Sequence, residues 1–219
     1  MKWICSFLPV LFSGFTGFAQ AEFGIFAGPH ISTAKYTVKN VKQPTDPKFG
    51  FHLGVGLEVA FENKLYFSPA LSYSLMGFDV KFNKPSLPPD LLAKDNSIRF
   101  HQIDLDFLLQ YNFSSKPNHI FFKAGPALHI VMGGREEFNL VTGQHISRKM
   151  KYGTSNGDYG PYLASFVVQP GYETSTGFII YVHYVLGLGS MNNADGGPMI
   201  LNRVFGITIG KYFRKKLAE

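Results

Sequence analysis

Residues 49–61 constrain this chain more than any other stretch. Phe49, Phe51, Leu53, Val55, Leu57, Val59 and Phe61 take every second position, and Gly50, His52, Gly54, Gly56, Glu58 and Ala60 fall between them. Period two is the period of a β-strand, so one face is apolar and the other polar and narrow. Strands of globular proteins average about five or six residues, roughly half this length. At about 3.3 Å per residue and a tilt of about 40°, the run climbs on the order of 30 Å, the thickness of a bilayer's hydrocarbon core. With an aromatic residue at each end, it reads as a strand that crosses a membrane.

The same alternation returns along the chain. Strands are expected over 22–31, 65–82, 98–113, 120–133, 159–173, 178–190 and 199–213, in addition to 49–61. In the fourth, Ile103, Leu105, Phe107, Leu109 and Tyr111 face one way, and Gln102, Asp104, Asp106, Gln110 and Asn112 the other. The connections alternate in length: long at 32–48, 83–97 and 134–158, short at 62–64, 114–119 and 174–177, and intermediate at 191–198. Outer-membrane barrels have short periplasmic turns and longer outer loops. The expected fold is therefore all-β, an eight-stranded antiparallel up-and-down transmembrane β-barrel with its termini in the periplasm.

Composition agrees with that reading. Aromatic residues make up 16% of the chain and charged residues only 16%, against the usual quarter or so for charge. Lys2, an apolar run over 3–18 and the small-residue end Ala19-Gln20-Ala21 predict a secretory signal peptide over 1–21, cleaved after Ala19 or Ala21. The barrel is then expected over 22–213, with a short tail over 214–219. The single cysteine, Cys5, lies in the leader, so no disulfide or thiol chemistry is expected after export. The formal charge of +6 is scattered and loop-borne, which argues against nucleic acid.

The residues that could carry chemistry are the inward polar ones: His52, Glu58, Asp104, Asp106, Lys123, His129, Glu173, Tyr181 and His183. The lumen of an eight-stranded barrel is just wide enough for side chains to fill. These charges are expected to pair across strands, with Asp104 near His129 once the strands fold about the turn at 114–119. A metal site would need several histidines at one level; spacing assigns no metal, cofactor or catalytic residue. His30-Ile31-Ser32 and His145-Ile146-Ser147 place a histidine and a serine on one face, the weak signature of a lipid-modifying enzyme. A soluble lipocalin-like barrel with inverted faces is the remaining alternative. Basic loop residues Lys35, Lys39, Lys42, Arg135, Arg148, Lys149 and Lys151 are candidates to meet lipopolysaccharide phosphates.

The leader, the eight long strands with glycine-rich inner faces and the closing strand 205–213 resemble small outer-membrane barrels of the OmpA/OmpX type. More narrowly, Gly28-Pro29, Gly125-Pro126 and the ending Gly210-Lys211-Tyr212-Phe213 resemble the PorT-like family of Bacteroidota. The resemblance implies a non-enzymatic outer-membrane protein, tied to protein secretion or gliding machinery. It implies as partners outer-membrane lipid, barrel-assembly machinery during insertion and an envelope protein. Arg214 to Glu219 follow Phe213, a departure from the terminal aromatic residue that such machinery reads.

Overall fold

The computed structural model describes residues 21–153, 155, 158–193 and 197–213. The leader over 1–20 with Cys5 and the tail over 214–219 lie outside the described residues. Among those described, every regular element is a strand: β1 Glu22–Val38, β2 Val41–Lys42, β3 Thr45–Glu62, β4 Leu65–Lys81, β5 Asp95–Asn112, β6 His119–Asn139, β7 His145–Lys149, β8 Tyr162–Glu173, β9 Phe178–Gly187 and β10 Met199–Phe213.

Eight of these close into a ring. Each pairs antiparallel with its neighbours in the order β1-β3-β4-β5-β6-β8-β9-β10, and β10 returns to β1 with Phe23 opposite Phe213. The short β2 and β7 extend the ring by pairing with β1 and β6. Closure gives each of the eight ring strands a partner on both sides, the condition for a sheet in lipid. The turns after β3, β5 and β8 share one end with Glu22 and Phe213, and the longer connections lie at the other.

The strands run further than the hydrophobic pattern predicts. The expected loop over 32–48 is mostly β1, β2 and β3. Lys39 and Asn40 both have positive φ, so a two-residue primed turn closes the hairpin. The expected loop over 134–158 contains the end of β6 and all of β7. The reason is a reversal of phase. Within β1, Phe23, Ile25 and Ile31 face outward and His30 and Ser32 inward, but from Ala34 onward Tyr36 and Val38 point in while Lys35 points out. In β5 the inward set changes from Ile98 and Phe100 to Gln102 and Asp104, and in β4 from Phe78 and Met76 to Ser74 and Ser72. One zone has an apolar outside and a polar lumen. The adjoining zone has an apolar core inside a polar rim.

That core fills the outer half of the lumen. Tyr36, Phe78, Ile98, Phe100, Met191 and Ile200 pack there with at most 1% of their surface exposed. In the other zone Phe49 (70%), Phe61 (71%) and Ile209 (65%) are among many large apolar side chains on the outer surface. This is the reverse of a soluble carrier and excludes the lipocalin-like arrangement. No helix of the described residues is long and apolar enough to cross a membrane, and none is needed.

The two Gly-Pro pairs have a structural meaning. The β1–β10 ladder is interrupted at Gly28-Pro29, and the β5–β6 ladder at Gly125-Pro126. Proline has no N–H to donate, so it is tolerated where the ladder opens. A Cβ at Gly28 would stand 2.0 Å from the Ile207 carbonyl oxygen. Both motifs mark close backbone approach on opposite sides of the ring.

Candidate functional site

The inward polar residues converge in the membrane-embedded half of the lumen, below the apolar core. They surround a cavity of about 60 Å³ lined by His30, His52, Asp104, Asp106, His129 and His183, among others.

The first group centres on Asp104. Strand register sets Ser72, Asp104 and His129 side by side across β4, β5 and β6. Asp104 Oδ2 accepts hydrogen bonds from Ser74 and from Ser72 at 3.3 Å; Oδ1 accepts from Gln102 and from His129 Nδ1 at 2.7 Å. Ser165 Oγ lies 2.6 Å from His129 Nε2. With Nδ1–H given to Asp104, Nε2 accepts the serine proton, so Ser165, His129 and Asp104 are joined in the order nucleophile, base and orienting acid. Ser165 is only 2% exposed, and the cavity beside it suits water-sized molecules rather than an acyl chain.

The second group is three imidazoles. His30 comes from β1, His52 from β3 and His183 from β9, and His30 and His183 flank Gly206 of β10 in one row. A Cβ on Gly206 would fall 2.5 Å from His183 Cε1 and 2.6 Å from His30 Cβ. A Cβ on Gly50 would fall 2.6 Å from His30 Nε2. These two glycines leave the space in which the rings meet. His30 and His52 stack with centroids 5.7 Å apart, and His183 stands edge-on to His52 at 4.8 Å.

Their hydrogen bonds run one way. A backbone carbonyl only accepts, so His30 Nε2–H donates to Leu75 O at 3.1 Å. His30 Nδ1 is then an acceptor and takes the Nδ1–H of His52, 3.4 Å away. His52 Nε2 accepts from Thr208 Oγ1, and Thr208 Oγ1 accepts from His183 Nδ1–H, each at 3.1 Å. Three neutral rings are satisfied without a formal charge.

The remaining expected lumen residues lie nearer the periplasmic end. Lys123 Nζ donates to Ser68 Oγ at 3.0 Å and Tyr212 Oη at 2.9 Å and lies over the rings of Phe121 and Tyr212. Hydroxyls and π faces thus solvate a buried ammonium. Asp106 shares a smaller cavity with Lys123 and Tyr181. Glu58 accepts from Gln110 at 3.2 Å, and Glu173 lies 3.5 Å from His119; with Glu22 the two carboxylates form a tight acidic group.

The His-x-Ser pairs divide. His30 and Ser32 both face inward, but Ser32 exchanges hydrogen bonds with the Gly77 backbone. His145 and Ser147 lie exposed on β7. Ser72, Ser74, Ser165 and Thr208 joined the site without being singled out by sequence, and His30, named there for its pairing with Ser32, meets His52 and His183 instead. The available signal was weak: each simply shares the inward phase of its strand.

Of the basic rim residues, Lys35, Lys39, Lys42, Arg135, Lys149 and Lys151 are exposed. Arg148 is engaged inside the rim. Its Nε meets Glu136 at 2.7 Å, Nη2 meets Pro89 O at 2.9 Å, and the guanidinium covers Phe138. Tyr159 also donates to Glu136, at 2.7 Å.

Comparison with known proteins fits this architecture. The family model for the outer membrane protein beta-barrel domain matches residues 18–193. No curated protein matches the chain. Among solved structures, the chain is similar to Ail, the attachment invasion locus protein of Yersinia pestis, at 15% identity, covering 88% of this chain and 99% of that one with a TM-score of 0.45. It is similar to Neisserial surface protein A at 13% identity, covering 88% and 99% with a TM-score of 0.48. It is also similar to OprG from Pseudomonas aeruginosa at 13% identity, covering 89% and 97% with a TM-score of 0.44.

Proposed function

The chain belongs to the outer-membrane β-barrel domain family, and from that premise we propose that it is a closed, non-enzymatic barrel that acts through its outer rim. The observation that carries this reading is the packed apolar core across the outer half of the lumen. It leaves no aqueous route through the barrel, and the chemistry offered to a partner sits on strands that continue beyond the lipid belt. The partner class is an envelope protein. The Gly28-Pro29, Gly125-Pro126 and 210–213 motifs favour a PorT-like member of Bacteroidota with a part in secretion or gliding.

The rim also supports contact with lipopolysaccharide. Arg99 faces Arg135 across β5 and β6, and Arg135 faces Lys149 across β6 and β7; all three point outward. Like charges directly opposite destabilise a sheet. Phosphates placed among them would relieve that repulsion and accept charge-assisted hydrogen bonds.

The linkage of Ser165, His129 and Asp104 favours the enzyme reading. Burial of Ser165 and the size of the cavity favour a structural network instead. A fluorophosphonate probe should leave Ser165 unlabelled in the folded barrel; stoichiometric labelling lost in Ser165→Ala would establish a nucleophile. The rim reading is tested by crosslinking intact outer membranes and recovering the protein. Replacing residues 140–161 by a short turn should abolish partner recovery while heat-modifiable mobility persists. Retention of the same partner would overturn it.

A further inference from the structure

We propose that His30, His52 and His183 form a lumen site for one divalent first-row transition-metal ion. One ring nitrogen from each lies within 4.8 Å of the others. At metal–nitrogen distances of about 2.0–2.1 Å, two ligands of a tetrahedral ion lie about 3.3 Å apart. His30 Nδ1 and His52 Nδ1 stand 3.4 Å apart, already at that spacing; the ion takes the place of the proton between them, which passes to His52 Nε2 and is given to Thr208 Oγ1. The third nitrogen closes by small ring rotations into the cavity that all three rings line.

The surroundings fit a cation. A metal-binding histidine usually donates its other N–H to a carbonyl or carboxylate, which fixes the tautomer. His30 does so through Nε2–H to Leu75 O, turning the Nδ1 lone pair toward its neighbours. His129 is committed on both nitrogens, to Asp104 and Ser165, and stands apart from the trio. Asp104 lines the same cavity as the three rings and supplies negative charge. The cavity of about 60 Å³ has room for a water as fourth ligand. Imidazole donors suit zinc, copper, nickel and iron. A purely structural role for the trio would be met by the neutral hydrogen-bond chain and would not need an ion.

The rings lie between the outer core and the buried periplasmic cluster, so loading is tested during folding. The untagged protein is purified from outer membranes with His101→Asn and His145→Asn in every sample, because those two imidazoles are exposed. It is stripped with chelator, refolded into detergent with Zn(II) or Co(II), freed of excess ion and assayed for metal per chain. One equivalent is expected, with the Co(II) form showing the visible band of a nitrogen-ligated ion. His183→Asn and His52→Asn should each weaken binding by more than the roughly 10–100-fold typical of an outer-shell partner. Gly206→Ala keeps all three nitrogens but crowds two rings, and should weaken binding less. Heat-modifiable mobility reports whether each variant folds. If His52→Asn does not fold, His183→Asn decides, together with the intact protein, whose unfolding temperature should rise with metal and return with chelator. Folded protein that takes up well under one equivalent overturns the proposal, as does undiminished binding by folded His183→Asn.

Discussion

At the scale of single residues, facing decides the consequence of a change. Asp104 is 7% exposed in the lumen, while Leu105 lines an outer groove with Val55, Leu71 and Phe107. One step along a strand turns a side chain through the sheet. Arginine on a lipid face near the midplane costs about 2–4 kcal/mol, a large share of the ~5–15 kcal/mol net stability of a small domain. Leu105→Arg should therefore block membrane assembly, whereas Asp104→Asn should still assemble, keeping the size and one acceptor oxygen for hydrogen bonds in the lumen. Cysteine placed at each position separates the faces: Leu105→Cys should react with a lipid-soluble thiol reagent in intact membranes, and Asp104→Cys should not. The reverse labelling would invert the barrel. A second residue-scale expectation concerns the rim. Burial first, then the nearby Glu136 carboxylate, raises the Tyr159 phenol well above its ordinary 10.0. A phenol whose pKa rises on folding contributes stability that is whole below that ordinary value and is lost as pH climbs beyond it. The rim should loosen on the alkaline side, and Tyr159→Phe should remove one late-titrating group from the ultraviolet titration. Titration of every tyrosine near the ordinary value would contradict the buried network around Glu136.

At the scale of the strand, most of the membrane-embedded fold was legible in sequence, and the rim was not. Residues 49–61 display the rule of the lipid zone: apolar out, small or polar in. Asp104 and His129 could be brought together from the turn between β5 and β6 alone. The rim obeys the opposite rule, because water replaces lipid outside and a packed core replaces the polar lumen. Ala34, Tyr36 and Val38 carry the apolar phase one register away from Phe23, Ile25 and Ile31, so a search in the lipid phase stops at 31 and reports a loop. The meeting of His30, His52 and His183 was hidden for a different reason. It depends on the closing pair β1–β10, which no local pattern specifies, and on glycines whose role is to be empty. Backbone approach is testable at this scale. A Cβ at Gly28 would fall 2.0 Å from the Ile207 carbonyl oxygen, whereas at Gly56 the nearest atom is 3.4 Å away. Gly28→Ala should reduce the heat-modifiable fraction sharply and Gly56→Ala should not; equal yields would mean that the strands separate easily. The cationic row of Arg99, Arg135 and Lys149 is likewise a property of register. Replacing all three by glutamine should reduce the stabilisation that lipopolysaccharide confers over neutral lipid, more so at low salt than at high. An unchanged lipopolysaccharide effect would remove the row from that contact.

At the scale of the molecule, two solvents act on one cylinder. In the lipid zone the apolar surface faces out, and the lumen holds the polar groups that lipid would not tolerate. Beyond it the same strands wrap a dry core of Tyr36, Phe78, Ile98, Phe100, Met191 and Ile200. Flow along the axis requires both zones to be open, and among the described residues neither is. The lower lumen is crossed by hydrogen-bonded side chains, and its cavity of about 60 Å³ does not amount to a channel. The upper lumen is occupied by that cluster of buried apolar side chains. Wild-type protein in planar bilayers should therefore show no large, steady conductance steps. Its unboiled form should still migrate apart from the boiled form, so that silence cannot be put down to failed folding. Removing one plug residue gives the sharper test. Phe100→Ala leaves a cavity that costs about 3–5 kcal/mol where the surroundings do not collapse, yet Phe78, Tyr36 and Ile98 still close the section around it. That variant should unfold at lower temperature and remain electrically silent. Stable, voltage-insensitive steps from the folded wild type would show that the outer core opens in the membrane, and would remove the observation on which the proposed rim function rests.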